Sequence, residues 1–191
     1  ILALAVGLLI LSHNVIAVLF LPFFLIFAFT LHGKNILSIV PSFILGTATA
    51  TFFWLPALYD LKLVRISQIK VSEITDHLVD FSKLIFPSWG YGPNPNSPDG
   101  LSVQIGLVAV FIFLATLTIM IATKTKNKQS FSSNNLISYM LIAFVLITLT
   151  NTKLALTFWQ NLPGADAIQF PWRMHSILIF ITAFLAAFVI D

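Results

Sequence analysis

Residues 15–31 read VIAVLFLPFFLIFAFTL, an unbroken apolar run without one charged side chain. A helix needs about 20 predominantly apolar residues to cross hydrocarbon about 30 Å thick, and a run of this kind is read as such a crossing. Three further uncharged runs follow at 36–58, 103–123 and 136–152. Each is continuously apolar, whereas a barrel strand alternates over about ten residues, so helical crossings are predicted. Pro22 and Pro41 lie inside these runs, where neighbouring helices can re-satisfy a freed carbonyl, so kinks are expected there and not breaks.

The composition agrees with that reading. Of the 191 residues 58% are hydrophobic and 9% charged, against roughly 25% charged in soluble domains. A soluble globular domain, a disordered chain and a coiled coil all need more charge, and with no cysteine there is no disulfide scaffold. The expected fold class is an all-α integral membrane protein, a polytopic helical bundle of about six spans. Residues 1–11 and the run from His175 to Ile190 complete that number. The chain starts without Met in an apolar run and ends at Asp191 without a tail, so residues 1–191 are expected to form a single membrane domain, a fragment of a longer protein. The net charge of +3 comes from basic residues scattered among membrane segments. They form no stripe to track a phosphate backbone, and no nucleic-acid partner is expected. The lipid bilayer is the expected partner.

Alternation of the spans puts Lys34 and the Lys124, Lys126, Lys128 cluster on one side, and residues 59–102 and 151–174 on the other. A plain count of Lys and Arg favours the second side, but their density in short connections free of acids favours the first as cytoplasmic. The long loop 59–102 is then extracytoplasmic. Trp54, Trp89, Trp159 and Trp172 fall on that outer side, as anchors in the headgroups or as a platform for sugar or lipid. Trp89 and Trp172, beside Pro and Gly turns, are the better platform candidates.

Within the loop, ITDHLVDFSKLIF places Ile74, Leu78, Phe81 and Leu84 or Ile85 at spacings of three and four, which predicts an amphipathic helix lying on the membrane surface. Thr75 is its expected cap, and His77, Asp80 and Lys83 its polar face. Asp76 and Asp80 would stand one helical turn apart. Two carboxylates and a histidine have the chemistry of a general base or a divalent-cation site, so Asp76, His77 and Asp80 are the candidate catalytic residues. A solvated helix face has the same composition, and no HExxH or EF-hand pattern assigns a metal. The following PSWGYGPNPNSPDG excludes regular structure and is read as an ordered or mobile loop.

In the second outer segment, Arg173 beside Trp172 suits a phosphate in two-point contact, the alternative being an arginine snorkelling to headgroups. The polar interruption Ser12-His13-Asn14 is either a tight turn or part of a site containing His13. Arg173, Trp172, Trp89 and His13 are the candidate substrate-binding residues.

LSHN between two apolar runs, FFWLPALYD, DHLVDFSKLIFPSWGYG and LPGADAIQFPWRM occur in one order. In this the chain resembles the multi-pass membrane family called pyruvoyl-tetrahydropterin-synthase-related and, more distantly, the YfhO-type envelope proteins. The four dispersed histidines are not the metal cluster of a soluble pterin synthase. The resemblance implies a GT-C-like membrane glycosyltransferase that uses a polyprenyl-phosphate-linked sugar in envelope glycan assembly. That class places its principal acid in an early outer loop after the first span, which this chain lacks. The expected roles are proton removal or cation binding by Asp76 or Asp80 with His77 as auxiliary, and charge neutralisation at the lipid phosphate by Arg173. The rivals are a transporter or flippase of lipid-linked intermediates, and a non-catalytic membrane scaffold. Spans uncharged through their centres weigh against a carrier.

Overall fold

The computed structural model describes residues 1–60, 63, 73–86, 88–124 and 131–190. Among them the regular elements are all helical, with two isolated bridging pairs and no longer strand. The chain divides into two compact units, Ile1–Val71 and Ser72–Asp191.

In the first unit α1 (Leu2–Ser12) is followed by α2 (Asn14–His32), α3 (Val40–Thr49) and α4 (Thr51–Asp60). The polar interruption read at Ser12-His13-Asn14 is a helix junction: His13 is extended, ends α1 and accepts the Ile16 N–H on its Nδ1 at 3.3 Å, which caps α2. α2 continues through Pro22, so that proline breaks nothing. Pro41 sits in the first turn of α3, where the missing N–H has no intrahelical acceptor to lose. The bend expected at Pro41 falls instead at Ala50, where α3 and α4 meet at 64°. The Trp54 indole donates to the Thr47 carbonyl at 3.0 Å, supplying a donor to the acceptor that a continuous helix would have matched with Thr51.

α1 packs on α3 through glycine. A Cβ on Gly46 would stand 2.5 Å from the Ala3 carbonyl and 2.6 Å from the Val6 Cβ, while one on Gly7 would meet the Thr49 hydroxyl at 2.8 Å. Close approach of backbones through small residues is how helices gain packing energy where no hydrophobic force separates them from lipid. Val6, Ile10, Ala17, Phe43 and Ala50 form the buried core of this unit.

In the second unit α5 (Leu107–Lys124) and α6 (Phe131–Thr150) both pack against α9 (His175–Ile190). Ile177, Leu178, Ile181 and Leu185 are the buried stripe of α9, and Phe113 stacks on Phe144 with ring centroids 4.9 Å apart. The short helices α7 (Leu156–Asn161) and α8 (Ala165–Ile168) and the loop elements 74–106 lie in the same unit.

Asn14–His32 and the continuous run Pro171–Ile190 are long and apolar enough to cross a membrane, and the bent pair α3–α4 makes a third if it counts as one crossing. Further apolar helices at Leu2–Ser12, Leu107–Thr123 and Asn135–Thr150 run to between 10 and 17 described residues. Among the described residues, two to three helices thus meet the length and composition needed for a crossing.

The glycine contact makes a graded prediction. Gly46→Ala, pressing on the Ala3 carbonyl at 2.5 Å, should lower the midpoint of thermal unfolding in detergent more than Gly7→Ala, whose backbone contact, the Gly46 carbonyl, stands farther off at 3.2 Å; the Gly46 change should cost roughly 1–3 kcal/mol.

Candidate functional site

The amphipathic helix expected over 74–85 does not form. Ile74–His77 and Phe81–Leu84 are separate 3₁₀ turns, and Leu78 and Asp80 between them have extended backbone. The reason is burial: His77, Leu78 and Val79 are all buried, and three consecutive positions cannot share the inner face of one surface helix. The extended segment instead pairs with the chain leaving α6. The Val79 N–H donates to the Asn151 carbonyl at 3.1 Å, and the Lys153 N–H donates to the Val79 carbonyl at 3.0 Å. No side chain caps the first turn, so the Thr75 cap is corrected too.

This pairing separates the two aspartates by role. Asp80 forms an ion pair with Lys153 at 2.7 Å, both side chains being more than half exposed. Asp76 has no ion-pair partner among the described residues and lines an open cleft of about 380 Å³ with Thr75, Leu78, Asn94, Asn96, Lys153 and Leu156. The Asn96 amide donates to the Asp76 and Leu78 carbonyls, each at 3.0 Å, and so fixes the turn that presents the Asp76 carboxylate. The Gly- and Pro-rich loop supplies Asn96. Its backbone closes between Gly92 and Gly100, and the Asn94 side chain accepts the Asn96 N–H at 2.8 Å.

His77, assigned from sequence to a polar face, is 6% exposed and does not line the cleft. Its imidazole meets the edges of Phe170 and Trp172 at 5.0 and 4.9 Å, and neither ring nitrogen has a hydrogen-bond partner. Burial pushes its pKa below the ordinary 6.5, the adjacent Asp76 carboxylate opposing that shift. Phe170 stacks on Trp172 at 4.6 Å, and the Arg173 guanidinium sits 5.4 Å from the Phe170 ring centroid. Arg173 is half-buried and donates to the Ile168 carbonyl at 2.8 Å and to the Gln169 side chain at 3.1 Å. Gln169 has a φ of 64°, an uncommon conformation for a side-chain-bearing residue.

The structure thus brings together Asp76, His77, Asp80, Trp172 and Arg173 in the second unit. Trp89, 79% exposed, lines no part of the cleft, and His13 caps a helix in the first unit. Trp159 is buried, its indole donating to the Thr150 carbonyl at 2.7 Å, and so is no headgroup anchor. Sequence reasoning missed Asn94, Asn96 and Lys153 as cleft residues. Their signals were present only as turn formers and as one cation in a charge count. Among the described residues no group of three or more His, Cys, Asp or Glu could hold a metal ion.

No family model matches the chain, and no curated protein or solved structure matches it either.

The buried imidazole generates a prediction with a defined sign. With a folded pKa below the unfolded one, His77 is neutral in both states at high pH, and only the unfolded chain takes the proton as pH falls below about 6.5. Stability should therefore decline on acidification through that region, and His77→Phe should remove this component. Because it replaces an unpartnered polar ring, the same variant should raise stability at neutral pH by roughly 1 kcal/mol, read as an upward shift of thermal midpoint in detergent.

Proposed function

We propose that this chain belongs to a membrane glycosyltransferase-like protein of the GT-C kind, acting at the extracytoplasmic face on a sugar carried by a polyprenyl phosphate. The observation that carries the reading is the unpaired carboxylate of Asp76 in a cleft walled by the amides of Asn94 and Asn96 and the apolar side chains of Leu78 and Leu156. Amides and a carboxylate suit sugar hydroxyls, and the aliphatic wall suits the C–H face of a sugar ring.

On this reading Asp76 accepts the proton of the acceptor hydroxyl as its oxygen attacks the anomeric carbon. The bond from that carbon to the phosphate oxygen breaks, and the phosphate leaves with the electron pair. Arg173 receives the developing charge through guanidinium N–H groups beyond the two bonded to Ile168 and Gln169. The two segments that carry these groups meet where the His77 ring, next to Asp76 in the chain, packs on Trp172, next to Arg173. Asp80 acts indirectly by holding Lys153 at the cleft wall.

A second reading, a carrier of lipid-linked intermediates, is favoured by one feature, the break between α3 and α4, because carriers build sites from interrupted helices. Reconstitution separates the two: covalent glycan product supports transfer, and movement of the lipid-linked sugar without product supports the carrier.

In the complete protein in native membranes, Asp76→Asn should lower transfer of labelled sugar from a polyprenyl-phosphate donor on the order of 10²-fold or more, as expected for loss of a general base. Asp80→Asn, which loses only an exposed pair, should lower it by far less. Undiminished transfer in both Asp76→Asn and Arg173→Gln would remove these residues from the reaction.

A further inference from the structure

Four large aromatic side chains stand exposed within eleven residues of the second unit: Phe81 at 54%, Phe86 at 76%, Trp89 at 79% and Tyr91 fully. Between Phe81 and Tyr91 the sequence holds no acid, and its one cation is Lys83. The Lys83 ammonium donates to the Pro95 carbonyl at 2.7 Å. An aromatic concentration of this size is foreign to a water-facing loop, since monomeric soluble surfaces rarely leave large apolar patches open.

The backbone says what lies beside it. The Ile105 N–H donates to the Leu84 carbonyl at 2.9 Å, so the turn bearing Phe81 and Phe86 is tied two residues before α5 begins. From there Leu107, Val108 and Phe111 continue the exposed apolar surface down α5. Leu84 is itself buried in a cluster with Val79 and Val103, against which Trp172 packs, and Trp172 lies in the first turn of the run Pro171–Ile190. The Leu84 turn therefore sits at the mouth of a crossing helix. Tyr91 and Trp89 are held to the same layer: the Leu101 N–H donates to the Gly92 carbonyl at 2.9 Å, and Leu101 packs on the Leu84 cluster. A Cβ at Gly90 would run into the backbone of Asp99, so only glycine lets the Trp89–Tyr91 turn lie this close to the returning chain.

We propose that Phe81, Phe86, Trp89 and Tyr91 form a lipid-docking edge, which rests in the headgroup layer of the bilayer that Pro171–Ile190 crosses. The occupant is the lipid surface, because the edge is continuous with the exposed apolar face of α5 and rises from the mouth of a span. Trp and Tyr suit that layer, where the ring is apolar and the N–H or O–H stays wet. Docking would hold the Asp76 cleft at a fixed height above the membrane, but the inference does not depend on the chemistry proposed for that cleft.

The test compares the native chain with Trp89→Phe in nanodiscs, so that the difference in tryptophan emission isolates Trp89 while the other three indoles stay in place. The discs carry either ordinary phosphatidylcholine or phosphatidylcholine brominated on the acyl carbons nearest the headgroup. The expected result is a Trp89 contribution that emits to the blue of free indole in water and is largely lost in the brominated discs. A contribution unaffected by bromine overturns the proposal, whichever of two forms it takes. Quenching by aqueous iodide would then mark a solvent-facing platform, such as one for sugar, and quenching by neither agent would mark a protein cover. Phe86→Ser gives an independent reading. It should expose Trp89 to iodide, and an unchanged response would count against a shared edge.

Discussion

The two backbone hydrogen bonds that join Val79 to Asn151 and Lys153 hold the second unit's outer layer to its helices. They occur where α6 ends, and a helix end leaves its last four carbonyls without intrahelical partners. Near lipid such groups have no water to turn to. Each is met here. The Ile147 carbonyl accepts from the Asn151 side chain at 2.9 Å, and that of Thr148 from the Asn151 N–H at 3.2 Å. The Leu149 carbonyl accepts from the Thr152 N–H and hydroxyl, and that of Thr150 from the Trp159 indole at 2.7 Å. Asn151 and Thr152 are buried because these duties place them inside, and their backbone is then available to Val79.

The same economy governs the polar side chains around the cleft. Asn96 and Lys83 direct their donors to backbone carbonyls of turns that no regular element would satisfy. Lys153 is matched to Asp80, and Arg173 binds the two residues that precede its own turn. Asp76 stands apart from this pattern, because its backbone is held while its carboxylate is left to the open cleft. A carboxylate whose backbone is fixed on both sides, by Asn96 and by Glu73, is poised to meet a ligand.

Long-range pairing decided which parts of this architecture could be read from sequence. Apolar runs announced α2 and α9, and α2 alone, or α9 together with the turn that precedes it from Pro171, is long enough to cross. The bend at Ala50 was invisible, since the Trp54 indole that stabilises it acts seven positions away, and Pro41 drew attention to the wrong place. The loop failed for a sharper reason. Ile74, Leu78, Phe81 and Leu84 satisfy helical spacing, yet the partner that makes Val79 extended lies over seventy positions downstream at Asn151 and Lys153. A local pattern loses to a non-local one whenever the latter buries more. Asp76, Asp80, Trp172 and Arg173 could still be singled out by side-chain chemistry without knowing the backbone; that Asp80 is paired and Asp76 is not required the distant lysine.

Charge then constrains the proposed chemistry. The exposed Asp80–Lys153 pair contributes little net field, which leaves Asp76 as the uncompensated charge of its cleft. A phosphate drawn into that cleft would meet a like charge, while a hydroxyl would meet an acceptor. Cationic donors suited to a phosphate lie instead on Arg173, beside the buried aromatic layer of His77, Phe170 and Trp172. The neutral, unpartnered imidazole in that layer adds no charge to either side. On the proposed chemistry, the hydroxyl therefore belongs with Asp76 and the phosphate with Arg173. A transfer of that kind needs a proton acceptor and phosphate donors placed on opposite sides of one reacting carbon.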